Sequence, residues 1–538
     1  MSQQLTVSNI YNNKFIERFL ALIRNTTGLT ENGTKTVASA AAIGIILLAW
    51  KQMKSSRKQA AFVGMPIPKG SRPLVGHLLA LGPNLPNTFH KWHQELGPFF
   101  RFKLGTKDMI VLGTPEITQE LLGTHGKYTS TRPSNLESHD FGQNNTRGVV
   151  TGLPHDKAWS TLRRLVLNAL GTRSLKEKSD ALCKEADEFV NQVANGKNVN
   201  PLQPLLRVSL NFILLTLFST RTTSIHDPLY KNSIHIISSF MQLTDTKKFA
   251  SVFIPILKIF DPLFGNKKKV VEFLVYTCKP FYDDLIEKGL NADGENLIKS
   301  LNEEFNHGKR GYYNNLYHPI HDMVIAGTDT TAVTITWGFL QISTRPDIQK
   351  KIQQEIDAFV SKNGRVPYFW ERDEVPFMIA TQRECFRLRP TTEFAVPHAA
   401  AEDFEWRGML IPKDTWIMPN MIEAHINPEK YPNPEEFKPE RFLDNTDTMG
   451  SSANRKVEDR DQFNFGWGRR VCVGSYLAET QMFNVWVRVL SRCDIVPSLD
   501  EKGNEVPATL ETVEAISGLT VVSPAPFEIR FVPRSKKQ

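Results

Sequence analysis

Apolar residues recur with a helical period over much of the chain, and only short stretches show a strand-like pattern. The helical pattern predicts helices over Ser174–Val193, Leu205–Phe218, Asn232–Met241, Lys267–Leu290 and His318–Ser343. Phe99–Leu104 and Met109–Leu112 read as strands, with Gly105-Thr106-Lys107 between them as a hairpin turn. Short-strand patterns return from Phe394 to Pro419 and near Leu519 to Phe531. The expected fold class is therefore mainly α with small β-sheets.

A different pattern stands near the start. Val37 to Trp50 is almost wholly apolar, and Lys51, Lys54, Arg57 and Lys58 follow it. This predicts a membrane anchor over 36–53, extended by snorkelling of Lys51, with Trp50 at the interface. The basic residues place the C-terminal side in the cytosol. The leader at 1–35 then faces the lumen, where Asn25 and Asn32 head glycosylation triplets. Ile10 to Ile23 is amphipathic and suits a membrane surface. Next come 54–76, basic and then proline-rich: Pro66, Pro68 and Pro73 stiffen the chain and break helix. Residues 77–538 remain for one large domain.

Composition narrows the function. The 538 residues carry a net charge of +8 with acids and bases interspersed, which lacks the clustered basic face of a nucleic-acid binder. A mildly basic surface suits an acidic protein partner. The five cysteines, Cys183, Cys278, Cys385, Cys472 and Cys493, are odd in number and widely spaced. They form neither a disulfide framework nor a zinc-ligand set, and they point to a reducing compartment.

One of them sits in an unusual setting. Phe465-Gly466-Trp467-Gly468-Arg469-Arg470-Val471-Cys472-Val473-Gly474 puts a cysteine in a glycine-bounded loop. Gly468 and Gly474 let the backbone turn and approach a flat cofactor. Phe465 can cover the sulfur, and Arg470 can neutralise an anionic group at the cofactor's edge. Trp159 and Arg163, four apart, share one helix face and can both donate to a carboxylate. Ala326-Gly327-Thr328-Asp329-Thr330-Thr331 interrupts an apolar helical run at a cost in helix stability. There Gly327 removes bulk, so that oxygen can sit against the backbone, Thr330 can bond a backbone carbonyl and widen the groove, and Asp329 can relay protons. Glu384 and Arg387 lie three apart on a helical pattern that Arg389-Pro390 ends, and Pro439-Glu440-Arg441-Phe442 follows. His425, in Ala424-His425-Ile426-Asn427-Pro428, reads as a structural histidine.

The spacing Phe-x-x-Gly-x-Arg-x-Cys-x-Gly resembles the haem-binding signature of the cytochrome P-450 family of haem-thiolate monooxygenases. The resemblance runs from about Pro66 to Pro533, with the motifs in family order. It implies the cytochrome P-450 fold and haem b, with Cys472 as the axial thiolate ligand of the iron. It also implies that Trp159, Arg163, Arg470 and Arg132 hold propionates, and that Glu384, Arg387 and Arg441 form a buried charged cluster behind the cysteine loop. Asp329 and Thr330 match the oxygen-activation motif, and the substrate pocket draws on Met323, Ala326, Phe394, Ala395, Val396, Ile516 and Leu519. Glu393 is the charged residue among these and can orient a polar group. The apolar set favours a steroid, terpenoid or fatty acid.

The chain has no flavin or iron–sulfur motif, so the resemblance implies electrons from NADPH through a separate cytochrome reductase, with cytochrome b5 as a further partner. It places the enzyme on the endoplasmic reticulum membrane with its catalytic domain cytosolic. Two other readings fit the same loop: an isomerase or peroxygenase without external reductant, and a non-catalytic haem carrier or sensor. The acid–alcohol pair Asp329-Thr330 argues against both.

Overall fold

The helix Leu202–Phe218 is apolar almost all round, and nearly every one of its side chains is buried. Such a helix belongs inside a protein. It lies against the long helix Asn314–Ser343, and Ser475–Arg492 packs near the other end of that helix. The close crossings have identifiable causes. A Cβ on Gly327 would stand 2.3 Å from Ile213 Cδ1, and one on Gly338 would stand 2.6 Å from Trp486 Cζ2. Leu205, Leu210, Phe212, Leu214 and Leu217 are wholly buried in this core. Each contributes roughly 1.5–3 kcal/mol relative to an exposed side chain.

The structure is a computed structural model. It describes residues 61–133, 148–150, 152, 157–243, 250–260, 266–308, 314–517 and 521–535, together with Thr30. The expected anchor at 36–53 and Leu519 lie outside these residues, as does nearly all of the expected leader. Among the described residues no helix is long and apolar enough to cross a membrane. Two units are distinguished. One takes Met1–Gly64 with Arg407–Leu410, the other Met65–Trp406 with Ile411–Gln538. In the first, the Phe62 N–H donates to the Leu410 carbonyl at 3.0 Å.

In the second unit, one sheet orders the strands Phe99–Leu104, Lys107–Leu112, Trp416–Pro419 and His398–Ala399. Its first pair is antiparallel, with Phe99 opposite Leu112, and the next is parallel, with Met109 opposite Trp416. The hairpin turn is shorter than the sequence pattern suggests. Lys107 already belongs to the second strand, and Gly105, at φ +60°, takes the left-handed position. A second sheet orders Asn198–Val199, Ile529–Pro533, Cys493–Leu499 and Glu505–Val506. Ala515–Ser517 and Val522–Pro524 make a separate antiparallel pair. The proline-rich segment expected as a hinge is hydrogen-bonded to the first sheet's neighbourhood. The Pro66 carbonyl accepts from Arg101 N–H at 2.8 Å, and His77 Nε2 lies 2.9 Å from the Pro68 carbonyl.

Leu85–Leu96, Leu297–Asn306, Pro346–Asn363 and Ser475–Arg492 are helices beyond those that the periodicity predicts. The five expected helices are present, with two differences. Ser174–Val193 divides at Lys178 into Thr172–Glu177 and Ser179–Val193. Lys267–Leu290 is helical throughout, but a π-helical turn, Leu274–Cys278, joins Asn266–Phe273 to Lys279–Asn291. Hydrophobic period alone does not encode a one-residue change of hydrogen-bond partner.

Candidate active site

An internal cavity lies between the Cys472 loop and the middle of the long helix. Phe465, Gly466, Trp467, Cys472 and Val473 line one side. Met323, Ala326, Gly327, Thr330, Thr331 and Thr334 line the opposite side.

The loop is closed by the Cys472 N–H, which donates to the Phe465 carbonyl at 2.9 Å. Gly466 at φ +81° and Gly468 at φ +58° take left-handed conformations. The glycine roles differ from those read in the sequence. A Cβ on Gly468 would stand 2.3 Å from the Leu122 carbonyl oxygen, so this glycine admits a neighbouring backbone, not a cofactor face. Gly474, at φ −93°, is the N-cap of Ser475–Arg492, and a Cβ there would lie 3.9 Å from the Cys472 sulfur. The sulfur therefore lies just ahead of a long helix, on the side that favours a thiolate. Cys472 is the only one of the five cysteines with exposed surface, and it lies deep in the protein, so that surface opens to the cavity. Burial pushes its thiol up, opposed by the Gly474 N–H and the Arg163 guanidinium.

Arg132, Arg163 and Arg470 reach one edge of the cavity. Arg132 donates to the Val396 carbonyl at 2.6 Å and the Pro397 carbonyl at 2.9 Å. Arg470 donates to the Ser130 carbonyl at 2.8 Å, and Arg163 to the Val471 carbonyl at 2.6 Å. Burial and then repulsion from Arg163 push Arg132 down to about 9. Burial, Arg132 and Arg163 push Arg470 down to about 8, with Asp322 alone opposing. Trp159 is buried but is not part of the cavity wall. Its indole N–H, expected to reach a carboxylate, donates instead to the Val149 carbonyl at 3.2 Å. Its ring faces the Arg470 guanidinium at 4.6 Å and that of Arg163 at 5.3 Å.

His398 joins this edge and was not singled out in the sequence. It is buried on the cavity wall, with Nδ1 2.9 Å from the Thr129 carbonyl. Burial, then Arg132 and Arg470, hold it well below the ordinary histidine range. The available signal was its position two residues after Val396.

On the long helix, Thr330 Oγ1 donates to the Ala326 carbonyl at 2.7 Å, Thr328 to Val324 at 2.7 Å and Thr334 to Thr330 at 2.8 Å. Such back-bonding bends a helix locally. Thr334 and Thr391 also pair through their hydroxyls at 2.5 Å. Gly327 lies on the wall, yet its missing side chain makes room for Ile213, not for a small ligand. Asp329 is not on the wall. Burial raises its carboxyl to about 6, and its charge is felt by the buried Tyr230 phenol.

Behind the loop, Glu384 and Arg387 are fully buried and paired through both carboxylate oxygens, at 2.7 and 2.8 Å. Arg441 reaches Glu384 at 3.3 Å and donates to the Pro432 and Asn433 carbonyls. Arg387 also donates to the His425 carbonyl at 2.9 Å. His425 uses both ring nitrogens, Nδ1 with the Met421 carbonyl at 2.8 Å and Nε2 with the Phe463 N–H at 3.0 Å. Burial pushes it down to about 3, so it is neutral and structural.

The expected pocket residues divide. Met323, Ala326, Ala395 and Val396 line the cavity, with Ala395 held at φ +51°. Phe394 does not; it packs edge-on against Phe89 at 5.2 Å in a separate aromatic cluster. Ile516 is 51% exposed and stands away from the wall. Thr392, at the head of the stretch to Val396 expected in the pocket, also lines the wall, and Thr391 joins it, adding hydroxyls to an apolar surface.

These residues suit haem. Two buried guanidiniums and a part-buried third, with one acid near them, lack the anions that two propionates would bring, and the only cavity-lining thiol among the described residues shares the cavity with a helix carrying a hydroxyl. The cytochrome P450 family model matches residues 65–517. Cytochrome P450 monooxygenase 79 of Postia placenta is 27% identical over 88% of this chain and 90% of its own length. Cytochrome P450 monooxygenase fogE of Aspergillus ruber is 30% identical over 84% of this chain and 83% of its own. The 3-hydroxyphenylacetate 6-hydroxylase of Emericella nidulans is 24% identical over 89% and 91%. A cysteine loop, a cationic edge and a threonine-bearing helix around one cavity, within a family match over most of its length, make the chain a member of the cytochrome P450 family, a haem-thiolate monooxygenase.

Proposed function

We propose that the enzyme hydroxylates a lipophilic small molecule of steroid, terpenoid or fatty-acid type. One oxygen atom of O2 enters a C–H bond and the other leaves as water. Two protons and two electrons are consumed, the electrons coming from NADPH through a separate reductase, with cytochrome b5 as a further donor. The observation that carries this reading is that Thr330 and Cys472 line the same cavity, with Asp329 next to Thr330 in the chain. One relative's name records a hydroxylation, which supports the reaction class.

Haem bound through a cysteine thiolate supplies the oxidising chemistry, because the thiolate pushes electron density that favours O–O cleavage. Cys472 would hold it, with Arg132, Arg163, Arg470 and His398 at its anionic edge and Trp159 bracing two of the guanidiniums. Met323, Ala326, Ala395 and Val396 exclude water from the reacting face. Thr330 Oγ1, now donating to the Ala326 carbonyl, rotates to hold a proton at the cavity. Asp329, turned from the cavity, exchanges protons with the outer side of the helix.

Thr330→Ala is expected to fold and bind substrate while wasting electrons: less product and more peroxide per NADPH. A positioned proton donor contributes ~10²–10⁴-fold in rate. Asp329→Asn is expected to slow oxygen consumption itself. A carboxyl held at about 6 loses its proton as pH rises through that value, so the wild-type rate should bend there and the Asn variant's should not. Parallel assays of product, peroxide and NADPH across pH check this. Unchanged coupling in Thr330→Ala would favour the reading without reductant.

We place the enzyme on the endoplasmic reticulum membrane, anchored by 36–53. Removing residues 1–58 is expected to release the protein from membranes with haem bound, as read by pelleting and the Soret band. A folded truncation that stays in the pellet at high salt contradicts the single anchor.

A further inference from the structure

Arg460 is 1% exposed, among the most deeply buried large side chains of the described residues. No carboxylate pairs with it among those residues. Its sequence neighbour Asp461 is engaged elsewhere, with Arg383, with Ser452 at 2.6 Å and with Asn445 at 3.1 Å. The guanidinium is held by two aromatic faces, Phe463 at 5.0 Å and Trp467 at 5.1 Å, whose rings are parallel to within 4°. Its Nη2 donates to the Gly466 carbonyl at 2.8 Å.

Those contacts are part of the cysteine loop. Gly466 is its left-handed turn residue, Trp467 lines the cavity, and Phe465 between Phe463 and Gly466 accepts the Cys472 N–H. A carboxylate partner would cancel the field of the cation. An aromatic face stabilises a cation through its quadrupole and adds no net negative charge. The positive charge therefore persists in a region of low dielectric, where charges act strongly over distance. Arginine suits this place better than lysine, because its flat, weakly hydrated head can lie on two rings and still donate.

We infer that Arg460 is a positioning residue for the Cys472 loop, and that its buried charge raises the reduction potential of the centre this loop holds. The inference rests on the haem-thiolate reading and goes beyond it by assigning a group that tunes the centre without touching it. Potentials of such centres respond to outer-shell hydrogen bonds, charge and burial.

The test is spectroelectrochemical titration of the full-length, haem-loaded protein as wild type, Arg460→Lys, Arg460→Gln and Trp467→Leu. Arg460→Gln is expected to disfavour reduction by about tenfold, which is about 59 mV for one electron. Arg460→Lys keeps the charge and is expected to stay near the wild-type potential, with a broadened ferrous–CO band from the looser loop. Trp467→Leu lets water reach the guanidinium and is expected to move the potential in the direction of Arg460→Gln by a smaller amount. It also decides the matter if Arg460→Gln fails to retain haem. Wild-type potentials in both Arg460→Gln and Trp467→Leu overturn the inference, and so does an equal shift in Arg460→Lys and Arg460→Gln. A wild-type protein without the red-shifted ferrous–CO band would instead sink the haem-thiolate reading itself.

Discussion

Glu384→Ala is expected to yield little or no haem-loaded protein. The carboxylate is fully buried and accepts from Arg387 through both oxygens, from Arg441 and from the Lys438 N–H at 2.8 Å. Removing it leaves two guanidiniums facing each other with no anion between them. Breaking a buried pair in this way costs about 3–5 kcal/mol, a large part of a typical domain's stability. The damage passes to the cysteine loop by a short route: Arg387 holds the His425 carbonyl, and His425 Nε2 holds the Phe463 N–H two residues before Phe465. Arg387→Ala should do the same from the other side. Haem content per folded protein, together with thermal unfolding, checks both variants. Normal haem content in both would place the cluster outside the structure that supports the loop.

Much of this architecture was legible because its parts are local. The long helix Asn314–Ser343, the hairpin Phe99–Leu112 and the stop at Arg389 before Pro390 follow from periodicity and from proline sterics. The cysteine loop was legible because it needs glycine, arginine and cysteine at fixed short offsets. The Glu384–Arg387 pair is also local, three residues apart, although its burial was visible only through the family resemblance.

What escaped is non-local. Gly327 and Gly468 were read as making room for ligand, yet each admits a distant piece of chain, Ile213 and the Leu122 carbonyl. Nothing near either glycine in sequence names those partners. His398 reaches the arginine edge only because its short strand pairs with Trp416–Pro419. Phe394 and Ile516 are apolar, which suited them to a pocket in the sequence. One fills an aromatic cluster around Phe89 and the other faces outward, so apolarity alone did not distinguish pocket from core or surface.

The second large effect concerns Cys472. The other four cysteines are buried, and burial is the largest influence on each thiol, as it is on that of Cys472: it pushes Cys278 up to about 12 and Cys493 up to about 11, and it raises Cys183, Cys385 and Cys472 as well. None of the other four lines the cavity. Cys472 does, next to a helix start, a backbone N–H and the Arg163 guanidinium, three features that favour a thiolate. Cys472→Ala should therefore leave the fold largely intact and remove the only thiol on the cavity wall among the described residues. Cys183→Ser, Cys278→Ser, Cys385→Ser and Cys493→Ser should change packing at most. The decisive measurement is the ferrous–CO spectrum of reduced wild type and Cys472→Ala, prepared alike and matched for haem. A red-shifted Soret band present in the wild type and absent from the variant is the predicted result. The same band in Cys472→Ala would contradict the proposal that this sulfur would hold the haem iron.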